Sequence, residues 1–143
     1  MFIKLSDSVW VAPQITVADV SEAAAQGITL IINNRPEDES PDQTPGEAIA
    51  AAAAAAGLSY VAIPVGHSGF SEPQIAALTK ALDAAPGPVL AYCRSGTRST
   101  LLWSLAQAAS GRAPSAIAAQ AAQAGYDITP VRPLVDMLAA KAG

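Results

Sequence analysis

Two apolar runs mark the middle of the chain. Ile28-Thr29-Leu30-Ile31-Ile32-Asn33 is β-branched and apolar, a pattern that predicts a strand covered on both faces. Val89-Leu90-Ala91-Tyr92 is a second such run, and it leads directly into Cys93. Phe2–Leu5 and Val9–Val11 read as strand and strand around a Ser6-Asp7-Ser8 turn, and Ser59–Pro64 as a further strand. Between the strands the period changes to that of helices. Thr16 caps a predicted helix over Val17–Gln26, with Asp19 at its third position and Gly27 as its stop. Thr44-Pro45-Gly46-Glu47 reads as a capping box, with proline at the first helical position of a helix that runs to Ala56. Ser71 and Gln74 form another box, with Phe70 and Ile75 as a hydrophobic staple, and that helix ends near Ala85 before Pro86-Gly87-Pro88. Helices at about Ser99–Ala109, Pro114–Ala124 and Pro130–Ala142 complete the chain.

Alternation of strand and helix predicts parallel strands with crossover helices, a three-layer α/β fold with a mainly parallel central sheet. In such sheets, sites form at the carboxyl ends of the strands. The loops Asn33–Gln43, Val65–Phe70 and Cys93–Arg98 are therefore expected at one rim. The length of 143 residues suits a single domain over residues 1–143.

Composition narrows the function classes. Charged residues make up 14% of the chain and the net charge is −4, so the basic footprint of a nucleic-acid binder is missing. No apolar run has the length of a membrane span, and Met1–Asp7 does not read as a signal peptide. Alanine supplies 33 residues, which favours helix but hides which helix face is buried. The single cysteine excludes an internal disulfide and fits a reducing cytoplasm.

That cysteine opens the run Cys93-Arg94-Ser95-Gly96-Thr97-Arg98-Ser99, between a buried strand and a helix start. Nucleophilic work needs the thiolate, and a helix start supplies partial positive charge and unpaired N–H groups. Backbone N–H groups from Arg94 to Arg98, Ser95 and Thr97 among them, would form an anion nest. Gly96 permits the backbone angle such a nest requires. Arg94 adds charge, Arg98 offers a planar fork for two anionic oxygens, and Ser99 is placed to hydrogen-bond the sulfur. Cys93 and Arg98 are thus the expected catalytic pair for covalent transfer of an anionic group. Arg35, at a strand end, either faces this pocket or bridges to Glu37 or Asp38. His67, the one histidine, lies on a glycine-flanked loop and is either a site residue or a surface one. One histidine and one cysteine do not make a metal site, and no cofactor is called for.

The run Tyr92-Cys93-Arg94-Ser95-Gly96-Thr97-Arg98-Ser99 resembles the active loop of single-domain rhodaneses. The rest of the chain resembles the phosphatase-like domain of beta-lactamase hydrolase-like proteins. The shared stretches are Ala12–Thr16, Ile31–Glu39, Ala55–Leu58, Ile63–Val65 and Pro86–Cys93. This resemblance implies a dual-specificity or tyrosine phosphatase-like fold, with Cys93 as nucleophile and Arg98 as anion clamp. It also implies a partner hydrolase, since the family occurs fused to hydrolase-like domains.

Cysteine phosphatases of this fold carry five residues between cysteine and arginine; this chain has four. A narrower ring suits a persulfide on Cys93 better than a phosphoryl group. A phosphatase also needs an acid for the leaving oxygen. The Val65–Phe70 loop has no aspartate, only His67, and Asp38 is the alternative. The expectation is therefore a cytoplasmic sulfurtransferase that takes sulfur from thiosulfate or a persulfide and passes it to a thiol acceptor. Phosphomonoester hydrolysis by the same Cys93 and Arg98 is the alternative.

Overall fold

A computed structural model describes residues 2–142 of the chain. Five strands form one sheet: β1 (Ile3–Lys4), β2 (Val9–Ala12), β3 (Leu30–Asn33), β4 (Ser59–Ala62) and β5 (Val89–Tyr92). Their order is β1-β2-β5-β3-β4, and every pairing is parallel except that of β1 with β2. The last strand in sequence is thus central in space. Six α-helices accompany them: α1 (Val17–Ala25), α2 (Gly46–Ala55), α3 (Glu72–Ala84), α4 (Thr97–Ala109), α5 (Pro114–Gln123) and α6 (Arg132–Ala142). A short 3₁₀ turn, Thr129–Val131, leads into α6.

Alternate residues of the central strands enter two separate cores. Leu30, Ile32, Val89 and Ala91 pack with Ile75 and Leu78 of α3, with α4, and with Ile117 and Val135 of α5 and α6. Ile31, Leu90 and Tyr92 pack with Val20 and Ala23 of α1 and Ile49 and Ala53 of α2. This is the three-layer α/β arrangement expected, with β3 and β5 buried on both faces. Helix α4 is buried from Ser99 to Ala106, and Trp103 lies wholly inside.

The capping boxes expected at α1 and α3 form. Thr16 and Asp19 exchange side chain-to-backbone hydrogen bonds at 3.2 and 2.8 Å, the expected box on α1. At α3, Gln74 accepts from the Ser71 N–H at 2.8 Å. The box expected at Thr44–Glu47 does not form. Pro45 is the cap of α2 and has no side-chain bond there. The Gly46 N–H instead donates to the Glu37 carboxylate at 2.8 Å. A carboxylate from the preceding loop satisfies the helix end, a partner nine residues away that a local window cannot see.

Candidate active site

Strand β5 ends at Tyr92, and the chain turns at once into α4. The helix begins at Thr97, two residues before the expected start. Arg98 therefore lies in its first turn, and the loop from Cys93 is closed by helix rather than by extended chain. Gly96 caps α4 at φ +89°, a left-handed angle that β-carbon-bearing residues resist. Its N–H donates to the Cys93 Sγ at 3.1 Å. Two of the first helical N–H groups are taken, that of Thr97 by Ser95 Oγ and that of Thr100 by the Gly96 carbonyl. Those of Arg98 and Ser99 have no partner among the described residues and line the helix entrance.

Arg98 is held from outside the loop. Its Nη1 donates to Glu39 Oε2 at 2.6 Å and to the Val65 carbonyl at 2.8 Å, and its Nη2 donates to Glu39 Oε1 at 2.9 Å. A guanidinium has five N–H donors. Three are thereby used, and Nε–H with one Nη2–H remains unengaged among the described residues. The Glu39 hydrogen bonds push Arg98 above its ordinary pKa, and negative charge on Cys93 adds to this against desolvation. The arginine is fixed and permanently charged, with one edge left for an anion beside the sulfur.

Glu39 binds a second arginine. Arg35 is buried; its Nε donates to Glu39 Oε1 at 2.9 Å, its Nη1 to Gln14 Oε1 at 2.9 Å and its Nη2 to Ser40 Oγ at 3.1 Å. The bridge expected to Glu37 or Asp38 thus goes to Glu39. Hydrogen bonds from Arg98, then from Arg35, hold Glu39 down to about 2 in spite of partial burial. Asp38 is exposed and in the left-handed region at φ +61°.

Asn34 ties the three rim loops together. Its N–H donates to the Tyr92 carbonyl at 2.8 Å, its Nδ2 to the Ile63 carbonyl at 2.9 Å, and its carbonyl accepts from the Val65 N–H at 2.9 Å. Its Oδ1 accepts from Ser99 Oγ at 2.8 Å. Ser99 is therefore committed to Asn34 beneath the loop and does not donate to the sulfur, the role expected of it. Ser95 Oγ donates to Thr97 Oγ1 at 3.0 Å, and Arg94 is exposed at the loop mouth. His67 is exposed on the Val65–Phe70 loop, two residues from the carbonyl that holds Arg98. Glu39, Asn34 and Gln14 were not singled out from sequence. The one local signal for Glu39 was its spacing of four residues from Arg35.

The comparisons with known proteins agree with this architecture. Residues 2–110 match the family model described as beta-lactamase hydrolase-like protein, phosphatase-like domain. The beta-lactamase hydrolase-like protein of Agrobacterium fabrum is 37% identical over 110 residues, which cover 77% of this chain and 26% of that protein. The chain thus spans about a quarter of the length of that relative. A Neisseria meningitidis protein described as a candidate phosphatase has a solved structure with a TM-score of 0.84. It is 33% identical, over 95% of this chain and 96% of that one. Pseudomonas aeruginosa TpbA, solved in complex with phosphotyrosine, is 14% identical with a TM-score of 0.68, over 99% of this chain and 89% of that one; this likeness concerns the fold alone. These relatives lead to phosphatases. They lend no support to the sulfurtransferase expected from the four-residue loop, and they favour the phosphoester alternative. The chain belongs to the phosphatase-like domain family of the beta-lactamase hydrolase-like proteins, and its fold is that of the cysteine phosphatases.

Proposed function

We propose that the protein hydrolyses phosphomonoesters through a phosphocysteine on Cys93. The observation that carries this reading is the pairing of Cys93 Sγ, hydrogen-bonded by the Gly96 N–H, with an Arg98 that Glu39 fixes and leaves open along one edge. The phosphoryl oxygens take the free Arg98 donors and the N–H groups at the start of α4, where positive potential concentrates. The exposed Arg94 adds charge at the loop mouth, and Ser95, Thr97 and Ser99 shape the loop through their hydrogen bonds. The Cys93 thiolate attacks phosphorus, an S–P bond forms, and the P–O bond to the leaving group breaks. Water then attacks phosphorus, the S–P bond breaks, and phosphate leaves with the thiolate restored.

The leaving oxygen needs a proton, and Glu39, ionised down to about pH 2, does not supply it near neutrality. His67, on the loop whose carbonyl braces Arg98, is the proton donor in this reading, with Asp38 further out on the neighbouring loop. An exposed donor on a surface loop favours leaving groups that part easily as anions, so aryl phosphates are expected to turn over faster than alkyl phosphates.

Acid quench of the protein during turnover of an aryl phosphate, followed by intact mass measurement, tests the chemistry. A gain of one phosphoryl group, absent in Cys93→Ser, is the expected result. No phosphoryl adduct, with instead one added sulfur after incubation with thiosulfate, would return Cys93 to sulfur transfer, the reading that the four-residue loop favours. A thiol acceptor enters only in that second case, whereas the partner hydrolase implied by the family's fusions belongs to either chemistry.

A further inference from the structure

Gly96 presents a difficulty for the site. The Ser95–Gly96 amide carries the N–H that reaches the sulfur, but glycine tolerates both faces of the backbone map, so little in the residue itself prevents this amide from rotating. A rotated amide would turn the Ser95 carbonyl oxygen toward a thiolate, which repels it. Something outside the loop must choose the orientation.

Tyr126 is placed to do so. The tail of α5 is closed by Gly125 at φ +93° and by the Tyr126 N–H donating to the Ala121 carbonyl at 2.9 Å. This closure lays the Tyr126 side chain on the cysteine loop, where its hydroxyl donates to the Ser95 carbonyl at 3.1 Å. A trans amide directs its C=O and N–H to opposite sides. The same Ser95–Gly96 amide is thus gripped at both ends, by Tyr126 on its oxygen and by Cys93 Sγ on its N–H, each at 3.1 Å. The fit is close enough that a β-carbon at Gly96 would strike the Tyr126 hydroxyl. Burial, and then charge on Cys93, raise the Tyr126 phenol, so it stays protonated and remains a donor. Tyr126 also lies beyond the residues that match the family model, 2–110.

We propose that Tyr126 is a positioning residue that holds the Ser95–Gly96 amide with its N–H on the Cys93 sulfur, and so favours the thiolate. The proposal rests on Cys93 being the nucleophile. Its test reads ionisation rather than turnover, so it fails or stands separately from the phosphatase reading.

The chain has one cysteine, so thiolate ultraviolet absorbance, corrected with the Cys93→Ser protein, reports on Cys93 alone. Tyr126→Phe removes the hydroxyl and keeps the ring. It is expected to move the titration midpoint to higher pH by about 0.5 to 1 unit, the worth of one neutral hydrogen bond. Tyr126→Leu, which keeps an apolar contact but no donor, is expected to shift it in the same direction. A midpoint that stays in place or moves down in either folded variant would overturn the proposal, because a residue that only fills space would leave the titration unmoved.

Discussion

At the residue scale, Glu39 governs the site without touching the sulfur. Its carboxylate joins Arg98 and Arg35, two cations that would otherwise repel each other across the rim. Removing it leaves both arginines without their anchor and frees Arg98 to move. Glu39→Gln is expected to lower kcat/KM for an aryl phosphate by about tenfold, roughly the loss of one charge-assisted contact, with the effect mainly in kcat. The same substitution has a pH signature. The carboxylate sits at about 2 in the folded protein against an ordinary 4.5, so its contribution to stability is present above 4.5 and is lost as pH falls through about 2. Thermal melts of the wild type should therefore weaken between these values, and the Gln variant should show a smaller fall over the same window. Equal slopes for the two proteins would show that the ion pairs do not carry the acid sensitivity.

At the element scale, the site depends on one buried asparagine. Asn34 lies just beyond β3, and its backbone and side chain reach β5, the end of β4, the Val65 loop and α4. All four of its polar groups are satisfied, and it is 1% exposed. Asn34→Ala would strand the Ser99 hydroxyl and the Ile63 carbonyl in the interior. The expected cost is about 3 kcal/mol, seen as a fall in Tm of several degrees, with weaker phosphate binding because the Val65 and cysteine loops lose their common anchor. A Tm within a degree or so of wild type would mean that water replaces these contacts at little cost. Tyr92, the residue before Cys93, behaves in the opposite way. Its ring packs with α1 and α2, and its buried hydroxyl has no hydrogen-bond partner among the described residues.

At the scale of the whole molecule, an acidic chain brings three arginines to one rim and interleaves them with the carboxylates of the Asn33–Gln43 loop. The net charge is −4, yet Arg35, Arg94 and Arg98 all come to the carboxyl ends of the parallel strands, beside the start of α4. Anion binding there therefore depends on the local donors of Arg98 and the start of α4 rather than on the charge of the rim as a whole. Phosphate at a hundred times its Kd should stabilise the fold by about 2.7 kcal/mol by mass action and raise Tm by several degrees. Cys93→Ser should keep this shift, since it removes the nucleophile and leaves the cradle. Arg98→Lys, with a point charge in place of a fork, should lose most of it. A shift that survives in Arg98→Lys would place the anion elsewhere on the rim.

Much of this was legible along the chain. Periodicity determined the strands and helices, and the order of elements determined a mainly parallel sheet, because apolar runs of β-branched residues and local caps act over a few residues only. The same short-range reasoning marked Cys93, Gly96 and Arg98, which lie within six consecutive residues. Tertiary structure alone decided the rest. In α2, alanines conceal the buried face, and only packing selects Ile49 and Ala53. The Gly46 N–H found Glu37 in place of a local cap. Arg98 found Glu39, 59 residues away, and the Ser95 carbonyl found Tyr126, 31 residues away. These contacts depend on which strand ends share a rim, and that is set by strand order in space. Loop length was legible in the sequence, but the start of α4 was not, because it is decided by Gly96 and by the hydrogen bonds that gather around it.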